Sequence, residues 1–298
     1  MSPTLTGTQL RVQGQLARAE PLLREALAAA EQAQSSEGGA LVEALNALGL
    51  LCKDLGRYDE AIRHYQRALA LLEHTGTANP DDIATLYHNL GGIEHARGDY
   101  AGGKAFARRG LAIRMSLDNA DPFLIAADKV ALAAILDGLT RYAEAERLYL
   151  EAMAIFERTP GGHDVEIAVA LNDLGAQYAR RGRLEQAEEL LTRAVDLKRR
   201  ALGPRHADTA VTLNNLAITY KRAGEFSRAA ALSAEALEIL EEALPADHPK
   251  LAVCRGNAAG CAASAPTTGV ADTPIEPLDQ PGGTGRGTRA PVDSASSP

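Results

Sequence analysis

A 42-residue step runs through this chain without insertion or deletion: Gly14, Gly56, Gly98, Thr140, Gly182 and Gly224 fall on it in turn. Two further columns keep the same step, one through Leu48, Leu90, Leu132, Leu174 and Leu216, the other through Ala26, Ala68, Gly110, Ala152, Ala194 and Ala236. A fixed period of this length specifies a solenoid, in which each unit buries its apolar face by stacking on the next. The 298 residues therefore read as one elongated domain with a tail, although their number alone would suggest about two domains.

Within the unit from Val42 to Glu73, Leu45, Leu48 and Cys52 recur at the spacing of one helical face, and Gly49 admits a close neighbour. Gly56 ends this first helix, helix A, in the left-handed conformation that glycine tolerates. Tyr58, Ala61, Ile62, Tyr65, Ala68, Leu69 and Leu72 then mark the packing face of an antiparallel helix B. The expected fold class is all-α. Residues 1–39 read as a partial first unit, mostly helix B, and 40–252 as five 42-residue units. Residues 253–263 read as a degenerate capping helix with two glycines, and 264–298, with six prolines and five glycines, as a disordered tail that cannot offset its chain entropy.

The formal charge of −8 argues against nucleic acid as the main partner. The basic groups Lys198, Arg199 and Arg200, and Arg180, Arg181 and Arg183, read as solvated cations at helix ends and turns. Three scattered cysteines suit a reducing compartment, and the sequence shows neither a secretory leader nor a membrane span, so a cytoplasmic location is expected.

Two motifs invite chemistry and fail on physical grounds. Gly98, Gly103 and Lys104 have phosphate-loop spacing, but Ala105 stands where a hydroxyl must reach magnesium, and no strand precedes them. His88 and His95, with Asp137 on the next unit, suggest a metal, yet seven helical residues separate the imidazoles by roughly 10 Å along the axis. No metal, no cofactor and no enzymatic activity are expected.

The strings LNALG at 45, YHNLG at 87, LNDLG at 171 and LNNLA at 213, each followed by the turn glycine, an aromatic or apolar residue and alanines at fixed offsets, resemble the tetratricopeptide repeat. Its usual unit is 34 residues; the 42-residue period and LNNLA-like strings resemble the kinesin light chain subfamily over about residues 14–252. The fourth unit departs, with KVALA at 129 and Thr140 in place of the turn glycine.

That resemblance implies a concave groove lined by helices A, with the first Asn of each string on the backbone of a bound peptide. The ladder is Asn46, His88, Val130, Asn172 and Asn214, flanked by Asn89 and Asn215, His95, Lys53, Lys221 and Arg222. A carboxamide both donates and accepts, so it matches the backbone of any extended chain; alternatively these amides bond only to neighbouring helices. The basic flanks favour an acidic segment. The expected function is a scaffold for an extended or partly helical segment of another protein. The alternative is the sensor half of a larger signalling protein. A motor-adaptor role would need a heptad segment that residues 1–13 do not supply.

Overall fold

In the computed structural model, residues 2–33, 39–75 and 79–263 are described; the expected disordered tail, 264–298, lies outside them. They form thirteen helices and no strand. A short α1 (Pro3–Val12) pairs with α2 (Leu16–Gln32), so the first unit carries a helix A of ten residues. Five full pairs follow: α3 (Gly39–Asp54) with α4 (Tyr58–Thr75), α5 (Pro80–Arg97) with α6 (Tyr100–Met115), α7 (Pro122–Gly138) with α8 (Tyr142–Arg158), α9 (Asp164–Arg180) with α10 (Leu184–Ala201), and α11 (Ala207–Arg222) with α12 (Phe226–Ala243). The last helix, α13 (Pro249–Ala263), starts four residues before the expected cap, with a proline where the missing N–H costs nothing.

The turn column works as a backbone device. Gly56 has φ +73°, its N–H bonds to the Lys53 carbonyl at 2.9 Å and that of Arg57 to the Cys52 carbonyl at 2.8 Å, the paired bonds that close a helix through a left-handed residue. Thr140 makes the same two bonds, Thr140 to Asp137 and Arg141 to Leu136, at φ +61° despite its branched Cβ. Behind the turn, a Cβ on Gly49 would fall 2.5 Å from the Tyr65 ring, so the missing side chain is what lets α3 and α4 meet. Ala68, Ala152, Ala194 and Ala236 are wholly buried at the corresponding crossings.

Helices A lie close along their backbones to their counterparts in the next unit, from α3 through α5, α7, α9 and α11 to α13, whereas successive full-length helices B stand farther apart and meet through long charged side chains such as Arg199 and Glu235, 2.8 Å apart. The A layer is thus the inner, concave side and the array curves around it. The curvature carries through a complete turn. His248, just before α13, lies against the α3–α4 turn 194 residues earlier: its Nε2 is 3.0 Å from the Asp54 carbonyl oxygen. A Cβ on Gly56 would come within 2.8 Å of Pro249. The solenoid expected from the repeat is a coil in which the start of the last helix meets the turn of the second unit.

The apolar core has two parts, one from Leu16 to Ile93 and one from Ala107 to Cys261. Between them sits a buried ionic cluster. Arg114, 1% exposed, bonds to Asp128 through Nε at 2.7 Å, to Thr85 at 3.1 Å and to Asp81.

Candidate peptide-binding groove

The amide columns are turned into the seams between A helices. Asn89 donates to Asn46 at 2.7 Å, Asn215 to Asn172 at 3.0 Å, and Asn257 to Asn214 at 3.4 Å, each bond joining one unit to the next. Asn89, Asn172, Asn214 and Asn215 are buried, and only Asn46 of this set keeps partial exposure. Among the described residues the Asn214 Nδ2 has no hydrogen-bond partner. Where the fourth unit carries Val130, the ladder is interrupted, and His88 instead faces Asp128 on α7, Nδ1 to Oδ1 2.8 Å.

The lysines of the ladder's flank behave differently. Lys53 and Lys221 occupy the same column four steps apart, and each ammonium passes over a glycine of the next unit, Gly92 and Gly260. Both side chains are partly exposed. Burial holds the Lys53 ammonium below the usual lysine range, with Asp54 opposing that shift and Lys250 and Arg11 reinforcing it. Asp208, at the start of α11, keeps solvent contact although protein crowds around it. That crowding pushes its carboxyl upward, yet Lys198, Lys250, His206 and Lys53 outweigh it and hold the group below the usual carboxylate range. Charges from α3, α11 and α13 thus meet across the hollow of the coil, a consequence of the contact between the start of α13 and the α3–α4 turn.

Arg222 is committed to the scaffold: its guanidinium donates to the carbonyls of Ala179 at 3.0 Å and Arg180 at 3.4 Å, closing the C-terminus of α9. The His95 ring lies tilted at 58° to Tyr100, centroids 5.6 Å apart, beside a small hollow that Asp137, Asp173 and Arg180 also line. Arg180 pairs with Asp137, and Arg181 and Arg183 with Glu146.

Of the basic residues read as solvated, Lys198 is buried. Lys198 is 3% exposed, and its ammonium bonds to the Asp208 carbonyl at 3.1 Å and the Thr212 hydroxyl at 2.9 Å. It shares a 42-residue column with Leu72, Arg114, Phe156 and Leu240, so a cation in a core column was the available signal for both buried cations. His248, Lys250 and Asp208 carried no such signal.

The His248 ring is fixed as a neutral tautomer. Its Nδ1 accepts from the Lys250 N–H at 3.1 Å, so Nε2 carries the hydrogen that reaches the Asp54 carbonyl. Burial first, and then Lys250, hold the imidazole below its ordinary value; the bond to the Asp54 carbonyl and the charges of Asp54 and Asp247 oppose this.

The tetratricopeptide repeat model matches residues 6–74, 124–200 and 166–242, more than half of the chain. The chain belongs to the tetratricopeptide repeat family. Among curated proteins none matches this tetratricopeptide repeat array. Among solved structures, it is similar to BtubC (BKLC) from P. vanneervenii, at 26% identity over 76% of this chain and 91% of that one, TM-score 0.57. It is also similar to NprR in complex with its cognate peptide NprX, at 16% identity over 85% and 70% of the two chains, TM-score 0.66. A putative kinesin light chain from Podosopora anserina, 18% identical over 70% and 98%, superposes only at TM-score 0.49. No described helix is long and apolar enough to cross a membrane.

Proposed function

We propose that this array is an interaction module, without chemistry of its own, that holds an extended or partly helical segment of another protein inside its coil. The observation that carries this reading is the inner layer of A helices, where partly exposed polar side chains converge across the hollow. Asn46, Lys53, His88, His95 and Lys221 are partly exposed and Arg222 is exposed, so these side chains have surface to offer a ligand. Asn89, Asn172, Asn214 and Asn215 set the spacing of the helices that carry them. The two lysines favour an acidic stretch.

NprR, of the same fold, was solved with a peptide, so a coil of this kind has room for one. The 42-residue period and the LNNLA-like strings support a kinesin light chain-like subfamily within this reading. Three free, buried cysteines fit a cytoplasmic setting.

The test is affinity capture from the native lysate with the intact chain and with Lys53→Glu combined with Lys221→Glu, both checked for helicity. Partners lost from the variant alone identify the ligand. Equal capture by a folded variant would move the binding surface off the inner layer.

A further inference from the structure

Cys52 lies in the last turn of α3, and Glu60 and His64 stand one helical turn apart on α4. The tight turn through Gly56 folds the end of α3 back over the start of α4, which brings the three together. The Cys52 sulfur, a Glu60 carboxylate oxygen and a His64 ring nitrogen all lie within 4.8 Å of one another. The His64 Nε2 is 3.8 Å from Glu60 Oε1.

That ring nitrogen is buried and has no hydrogen-bond partner among the described residues. Unpaired buried polar atoms are uncommon in native proteins and ask for a reason; this one stands beside a thiol and a carboxylate. Donor atoms bound tetrahedrally at about 2.0–2.3 Å from a metal stand roughly 3.3–3.8 Å from one another, so modest side-chain movement suffices.

We propose that Cys52, Glu60 and His64 form a three-ligand site for a divalent transition metal of the zinc class at the junction of α2, α3 and α4. Sulfur and imidazole select zinc or cobalt over magnesium and calcium, which take oxygen. A thiolate and a carboxylate neutralise the ion, and three protein ligands leave a fourth position for water. Glu60 and His64 are partly exposed, so the ion has a way in. Arg24 approaches Glu60 at 3.5 Å but already pairs with Glu20 at 2.7 Å, so the carboxylate can turn to the metal without stranding that cation.

The test uses the untagged full chain, stripped with chelator and titrated with Co²⁺, with absorption read for sulfur-to-cobalt charge transfer. The expected result is a sulfur band that saturates with the ion, is displaced by Zn²⁺, persists when Cys254 and Cys261 are both changed to Ala, and vanishes in Cys52→Ala. Binding should weaken by about tenfold or more in His64→Gln and in Glu60→Gln. A wild-type chain without the band, or a band that survives Cys52→Ala, overturns the proposal. Should Cys52→Ala fail to fold, the two substitutions at the partly exposed positions decide: wild-type affinity in both overturns it.

Discussion

Thr140 shows how strictly one position in a repeat is held. Its φ of +61° is imposed by the two turn bonds that glycine makes elsewhere in the column, and a branched residue in that region carries roughly 1–2 kcal/mol of strain. Glycine would remove the strain but return some freedom to the unfolded chain. Thr140→Gly should therefore raise stability by a net of about 0.5–1 kcal/mol, read as a higher urea midpoint at unchanged slope. A lower midpoint would show that the Thr140 side chain supplies a compensating contact. Arg114 and Lys198 illustrate the opposite: a cation in a column otherwise held by Leu72, Phe156 and Leu240, made tolerable by Asp128 in one unit and Thr212 in the other.

At the scale of helices, the small-residue column controls how closely each A and B pair approaches. Ala152 is wholly buried between α7 and α8, and Ala152→Leu should cost on the order of 1–3 kcal/mol through overpacking, measured as a lowered melting temperature. An unchanged melt would mean that the helices part without penalty. The helix pairs, their turns and their apolar faces were legible in the sequence because each depends on residues a few positions apart, repeated until chance is excluded. The amide columns were legible only as a choice between two roles, since an Asn on the A helix reaches either a ligand or the next unit depending on a rotation of the seam. The Asn89 to Asn46 and Asn215 to Asn172 bonds show which seams use them for packing. The Cys52, Glu60 and His64 cluster escaped notice because no familiar spacing joins them; a turn does.

The closure of the coil belongs to the molecule as a whole, since it accumulates from the small rotation between successive units and no single residue encodes it. Its contact, His248 on Asp54, responds to pH. The imidazole is held below its ordinary value, so the closed state favours the neutral ring; its contribution is present above about pH 6.5 and is lost as pH falls through the lowered value. Protonation would also place a hydrogen on Nδ1 against the Lys250 N–H, opposed by the charges of Asp54 and Asp247. Small-angle scattering should show the wild-type chain expanding from about pH 7.5 to about pH 5.5, and His248→Ala expanded at both. A pH-independent radius shared by the two would mean that the contact does not hold the coil. Where the start of α13 meets the α3–α4 turn, the array between them closes into a loop and not an open trough, so under the proposed function entry for a long chain has two routes. A free terminus threads through the hollow, or the seam at His248 parts and lets an internal segment slip in sideways. The first route is closed to a segment with folded domains on both sides, and for such a partner the rate of association is set by how often the seam opens, however well the groove fits.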